Sequence, residues 1–363
     1  MIATGLATGV TADPILAAQA VAMAMARLNI SHANSVLLFL SDAFARDPQP
    51  ALLAASRQSQ CMQIVGCSAQ GIFTEQDWVL DAPAAAAMVF SGNLSLCTAH
   101  SPEPDDLILA LAAPNAVNRQ WIGMPGQRIG GISGDATGHG PYKVWNNGKV
   151  NPQGKCELYL QGSIGAIGVS HGIRALTAPM TVTACNGFDM ISLDRQPALN
   201  LLERELPLEV REMDHIPLHL IMAAEVIGDR DNALAEGRYR LIPIVAANPD
   251  DRSVTLALHL EEGKHMFWAL RQPLAAERNM RVSLNRTEQL LGGRPDFAIL
   301  ASSSARGPIF YGGKDRDLSV VTQLYPNMPF IGFYDNGEIA SINDSNQLLE
   351  YATVFGLFRH GVA

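Results

Sequence analysis

The chain has 363 residues, 48% hydrophobic and 17% charged, with 26 Lys and Arg against 35 Asp and Glu for a formal charge of −9. That balance excludes a disordered chain, which is poorer in apolar residues and richer in charge, and it leaves no broad basic surface for nucleic acid or anionic lipid. No run reaches the roughly 18 apolar residues of a membrane span, no basic residue precedes the apolar start, and the five cysteines form no C-x-x-C pair, so a cytoplasmic protein with reduced thiols is expected.

The first element reads as a helix, capped by Asp13 with Pro14 at its first position and carrying Ile15, Leu16, Val21, Met25 and Leu28 on one face. Residues 35–40 form an all-apolar run of buried-strand length. A helix over 51–60, a strand over 62–66 that runs into the turn 67–71, and a strand over 84–90 follow. Residues 130–193, rich in Gly, Ser, Thr and Val, read as antiparallel sheet with a hairpin at Asn146-Asn-Gly148. A helix over 197–206 is given Asp194 as cap and Pro207 as stop. The Pro-punctuated stretch 207–232 reads as a connector, and a further hairpin turns around 248–251.

The C-terminal part repeats the opening order: helix 274–291, strand 296–300 into the turn 302–307, helix 318–324, strand 330–333 into the turn 335–338, and strand 351–358. The pattern predicts an α/β fold with mixed sheets and flanking helices, built as an internal duplication. Its two pseudo-repeated halves are expected to enclose a ligand pocket, with domains over 1–206 and 233–363 and a hinge in the connector 207–232.

Motifs for specific chemistry are few. The glycines of 130–138 lack the Lys and spacing of a phosphate-binding loop, and those of 162–168 lie in a strand, where glycine marks close packing. No G-x-S-x-G elbow occurs. Cys67 sits at a strand-to-turn junction without a neighbouring His or Lys, which favours a buried thiol over a nucleophile. Ser302, Ser303 and Ser304 make a hydroxyl-rich turn suited to a polar ligand or simply to turning. Pro217 separates His215 from His219, and Cys97 with His100 lacks further ligands, so structural zinc is not indicated. His171 ends a strand before Gly172, where it projects into a cavity or is a satisfied strand-end histidine. Glu338, among Phe330, Phe333 and Tyr334, is placed to receive an amine; Arg306 would pair with it or offer a planar fork to a carboxylate, a combination suited to an amino-acid-like zwitterion.

Several stretches together resemble the FIST family of sensory modules. They are Ile64-Val-Gly-Cys-Ser-Ala-Gln-Gly-Ile72, Ile129-Gly-Gly-Ile-Ser-Gly-Asp135, Val144-Trp-Asn-Asn-Gly-Lys-Val150, Ser170-His-Gly-Ile-Arg174, Leu193-Asp-Arg-Gln-Pro-Ala-Leu199, Ala301-Ser-Ser-Ser-Ala-Arg-Gly307 and Pro329-Phe-Ile-Gly-Phe-Tyr-Asp-Asn-Gly-Glu-Ile339. The resemblance departs at Ser303, where many members carry Cys, and at His171, where many carry Gln. It implies consecutive N- and C-terminal FIST domains and ligand sensing rather than catalysis, with a signal passed to a separate histidine kinase or cyclic-nucleotide enzyme. The expected ligand is an amino-acid-like metabolite, met by Cys67, Ser68, Gly71, Gly131, Ser133, Asp135, His171, Ser303, Arg306 and Glu338. The alternatives are a nitric oxide sensor carrying haem b on His171 and an enzyme using Cys67.

Overall fold

The computed structural model describes residues 1–99, 101–213 and 217–361, so the metal candidates His100 and His215 lie outside the described residues. The chain packs into two compact units, residues 1–169 with 281–363, and residues 170–280.

The first unit opens with β1 (Ile2–Thr8), α1 (Ile15–Leu28), β2 (Ser35–Ser41), α2 (Gln49–Ser59), β3 (Ile64–Ala69), the hairpin β4 (Gly71–Thr74) and β5 (Trp78–Leu80), and β6 (Ala84–Phe90). Asp13 Oδ1 accepts the Ile15 amide at 2.9 Å, and Asn29 closes α1 in the left-handed conformation, which Asn adopts readily. Ala17, Ala20, Val21 and Ala24 share a face of α1 and are wholly buried against the inner strands, which are themselves buried along their whole lengths. Strands covered on both faces need no polar alternation, hence the unbroken apolar runs.

The second stretch is β7 (Ser95–Thr98), β8 (Leu107–Ala112), the one-turn α3 (Arg119–Ile122), β9 (Gln127–Ile132), the hairpin β10 (Val144–Asn146) and β11 (Lys149–Val150), and β12 (Lys155–Gln161). A third begins with β13 (Ser163–Ser170) and is interrupted by the second unit. That unit comprises β14 (Ile173–Ala175), β15 (Met180–Asn186), β16 (Asp189–Leu193), β17 (Gln196–Pro197), α4 (Ala198–Glu205), α5 (Leu208–Arg211), β18 (Ile221–Val226), α6 (Ala233–Glu236), β19 (Tyr239–Asn248), β20 (Ser253–Leu256) and β21 (His265–Arg271). The third stretch resumes with α7 (Pro273–Leu291), which starts in the second unit and ends in the first, then β22 (Phe297–Ser303), α8 (Arg316–Leu324), β23 (Phe330–Asp335), the hairpin β24 (Glu338–Ile342) and β25 (Ser345–Leu349), and β26 (Thr353–His360).

The three sheets of the first unit have one plan. Their orders are β1-β6-β2-β3-β10-β11, β7-β12-β8-β9-β24-β25 and β13-β26-β22-β23-β4-β5. In each, a parallel pair (β2 with β3, β8 with β9, β22 with β23) is flanked by an antiparallel strand from the same repeat. Each sheet is completed by a hairpin from another repeat: the second lends to the first, the third to the second, and the first to the third. The repeat that the sequence shows twice is thus present three times, and the exchange is cyclic. The middle copy escapes the sequence pattern because among the described residues no helix stands at its first position and its second helix is a single turn.

Register fixes the equivalences. Gly66, Gly130 and Gly332 lie beside Leu38, Ala110 and Leu300 of their parallel partners, and a Cβ on each would stand 1.8, 1.8 and 2.4 Å from that partner's carbonyl oxygen. A side chain at any of the three would collide with backbone that cannot yield.

The second unit is inserted between the first strand and the first helix of the third repeat. β21, β15, β16, β20, β19 and β18 pair antiparallel in that order, and β18 pairs back to β21, closing a barrel without free edges. Val182, Leu193, Val254, Met266 and Trp268 belong to its core, together with Leu199 and Leu202 of α4. Three sequence readings change here. The stretch 207–232, read as a connector, supplies β18, whose apolar residues are buried between two strands; its prolines punctuate only the approach. Asp194 does not cap α4, since its Oδ1 accepts the Thr181 amide at 2.9 Å. The compact units also cut across the sequence-order division at 206 and 233, because the third repeat pairs with the first two.

Candidate ligand-binding site

In open α/β sheets, ligands bind beyond the carboxyl ends of the parallel strands, where chains diverge and leave backbone groups exposed. In the first unit, β3, β9 and β23 end at equivalent positions, and three of the predicted turns follow them. Ser68 Oγ and Ser133 Oγ meet at 3.0 Å, and Ser133 Oγ donates to the Ser68 carbonyl at 2.6 Å. The Lys143 amide donates to Ser68 Oγ at 3.1 Å. Ser303 pairs in register with Asp335, and Glu338 with Gly131. A Cβ on Gly131 would lie 2.0 Å from Asp335 Oδ2, so the missing side chain is the space that carboxyl occupies. Cys67, Gly131, Ser303 and Glu338 are placed beside Asp335, and Ser68 and Ser133 meet each other at the ends of the neighbouring strands.

Asp335 is the residue the sequence reading passed over. Its signal was present: a carboxylate three positions before Glu338 in an Asp-Asn-Gly-Glu turn after a buried strand. Both carboxyls are fully buried. Glu338 Oε2 accepts the Ala352 amide at 2.9 Å. Among the described residues no N–H or hydroxyl donates to Asp335 Oδ1, Asp335 Oδ2 or Glu338 Oε1, and the two carboxyls face each other. Burial disfavours the charged form and moves the Asp335 carboxyl up to about 7, against a smaller opposing pull from a hydrogen bond to the Glu338 carboxyl and from the amides of Gly337 and Asp335. The Glu338 carboxyl is driven well above the usual range, first by burial and then by the Asp335 charge. Such a pair titrates as a unit and retains a proton near neutrality.

The remaining predicted residues have other surroundings. Cys67 is fully buried, and its thiol is pushed well up by burial, with Cys156 and Asp335 adding to the shift; a thiol in this state is a poor nucleophile, which removes the basis of the enzyme reading at Cys67. Gly71 serves its own hairpin, where a Cβ would strike Leu80 and the Val79 carbonyl. Asp135 accepts from Thr137 Oγ1 at 2.5 Å and from the amides of Gly138 and Gly140 at 2.8 and 3.1 Å. Burial alone would raise its carboxyl, but these bonds hold it below the usual range. Its acceptor capacity is used within its own loop.

Arg306 is held by Asp317. Its Nε and Nη2 make a two-point ion pair with Asp317, at 2.8 and 3.1 Å, between side chains that are both buried. The carboxylate-binding half of the expected zwitterion pocket is thereby occupied from within.

His171 belongs to the second unit. It is 1% exposed, its Nε2 lies 3.0 Å from the Gly237 carbonyl, and its ring lies 4.2 Å from that of Tyr239. An axial haem ligand needs a ring nitrogen facing an open apolar slot, and a buried Nε2 held against a carbonyl does not fit that role. Among the described residues no group of three or more His, Cys, Asp or Glu is placed to hold a metal ion, and no helix is long and apolar enough to cross a membrane. All five cysteines are free thiols.

Comparison with known families matches the FIST N domain to residues 34–196 and the FIST C domain to residues 193–341. The chain belongs to the FIST family. FIST domains are sensory domains of signal-transduction proteins. The chain is similar to an uncharacterized Mycobacterium tuberculosis protein, 24% identical with 96% of this chain and 97% of that protein covered. It also resembles an uncharacterized Mycobacterium bovis protein, 25% identical over 81% of this chain and 82% of that protein. The FIST N match ends within the second unit and the FIST C match begins there, so both family domains draw on the barrel.

Proposed function

We propose that this FIST protein senses a small polar metabolite at the carboxyl ends of β3, β9 and β23 and passes the signal to a separate output partner, a histidine kinase or cyclic-nucleotide enzyme. One observation carries the reading: two fully buried carboxyls face each other, and three of their oxygens receive no N–H or hydroxyl from the described residues. Native proteins pair nearly all such atoms, so an exception of this size is an acceptor set kept for something else. Ser68 and Ser133, bonded to each other at the ends of β3 and β9, add hydroxyls at the same strand ends. The cluster draws on all three repeats, so a ligand there would bias their mutual packing. A coupling of about 1–3 kcal/mol suffices for a sensory output.

The test is a thermal-shift screen of amino acids, amines and related metabolites against the full chain, followed by Glu338→Gln and Ser133→Ala. The reading expects a compound that raises the melting temperature of the wild-type protein and loses that effect in the variants. Ligand at a hundredfold excess over its Kd contributes about 2.7 kcal/mol. Stabilisation by every active compound that persists undiminished in both variants contradicts the reading.

A further inference from the structure

We propose that the Asp335–Glu338 pair is a receptor for a primary ammonium group. This rests on the reading of the site given above and names the class of its ligand. An alkylammonium carries three N–H donors and no acceptor. Once the proton between the two carboxyls leaves, the pair offers three acceptors to match, Asp335 Oδ1, Asp335 Oδ2 and Glu338 Oε1, to which no described N–H or hydroxyl donates, while the fourth oxygen is fixed by the Ala352 amide at 2.9 Å. Gly131, opposite Glu338 on β9, lacks a side chain, and the Asp335 carboxyl occupies the room this leaves.

Charge selects the same class. The titratable groups acting on the pair are Cys67 on β3, itself facing Cys156, and Glu350 beyond β25; none is a cation. Arg306, the cation of the turn after β22, is held by Asp317. An anionic ligand would meet carboxyls, and the carboxylate of an amino acid would find this arginine already paired. A hard divalent ion asks for six or more oxygen ligands, roughly, whereas two carboxyls satisfy an ammonium. The assigned ligand is an amine whose carboxylate, if any, is not recognised by Arg306.

The proton balance is explicit. Near neutrality the unliganded pair retains a proton between its two carboxyls. An arriving ammonium favours the ionised form, so the shared proton passes to solvent and N–H···O bonds replace it. Binding therefore releases up to one proton and tightens as pH rises, until the free amine itself loses its charge.

The experiment titrates methylammonium calorimetrically into the full chain at mildly acidic, neutral and mildly alkaline pH, in buffers of different ionisation heat. Saturable binding is expected, with proton release, affinity rising with pH, and a loss of about tenfold or more in Glu338→Gln and in Asp335→Asn. Tetramethylammonium, equally charged but without N–H donors, is expected not to bind. Both substitutions keep side-chain volume, and melting curves verify that the variants fold. No methylammonium binding, equal binding of tetramethylammonium, or undiminished binding in both folded variants overturns the proposal. If methylammonium is silent while a screened metabolite binds and depends on Ser133, the ammonium assignment fails and the site stands. If no compound depends on either set of residues, the site reading itself fails.

Discussion

Asp335 Oδ2 lies 2.0 Å from the point where a Cβ on Gly131 would stand. The third repeat's carboxyl thus occupies the side-chain space of the second repeat's strand. Gly131→Ala must displace that carboxyl and also crowds Ala301, whose Cβ would be 3.0 Å away.

Overpacking of this kind costs about 1–3 kcal/mol when a side chain can shift. Gly130→Ala is expected to cost more, because the obstacle is the Ala110 carbonyl at 1.8 Å and φ is +153°. Gly138, with φ +73° and nothing within 4 Å of an added Cβ, is the control, and only backbone strain of about 1 kcal/mol is expected there. Urea unfolding should rank Gly130→Ala above Gly131→Ala above Gly138→Ala.

The carboxyl pair sets a pH dependence with a definite sign. Asp335 is raised to about 7 in the fold, against about 3.9 in an unfolded chain. Between those values the native state holds more protons than the unfolded one, so this group's contribution to stability falls as pH rises through that window. Glu338, also raised well above its ordinary range, adds a fall of the same sign. Stability measured from pH 4 to 8 should therefore decline less in Asp335→Asn than in the wild type. At neutral pH the folded variant should be the more stable, by up to a few kcal/mol at about 1.4 kcal/mol per pKa unit.

The Arg306–Asp317 pair is structural. Removing one partner strands a buried charge, so Arg306→Met and Asp317→Asn are each expected to destabilise by about 3–5 kcal/mol. The double variant Arg306→Met/Asp317→Leu should recover much of the loss, read as a coupling in denaturant unfolding. A ligand carboxylate bound at Arg306 would instead lose affinity in the double variant without regard to its stability.

How much was legible follows from which forces act locally. The spacing from Ile15 to Leu28 and the run Ser35 to Leu40 gave α1 and β2 within a residue or two, because one face and one buried strand decide their own patterns. Matching Gly66 with Gly332 revealed two repeats, since both glycines answer to a neighbouring carbonyl. The cyclic exchange of hairpins was not legible, because which edge β4, β10 or β24 joins is decided by tertiary packing. At the site, Glu338 and Ser133 were visible as polar residues in turns after buried strands. The full burial that sets Asp335 apart is decided by tertiary packing, and Arg306 is taken by Asp317, eleven positions on.

The most direct measurement of the central claim is the carboxylic-acid infrared band of the full chain at neutral pH, with and without saturating methylammonium. The account predicts a buried protonated-carboxyl band that is lost on ligand binding and is absent, with or without ligand, in the Asp335→Asn/Glu338→Gln double variant. A band that methylammonium binding leaves unchanged, or that the double variant retains in full, would contradict it.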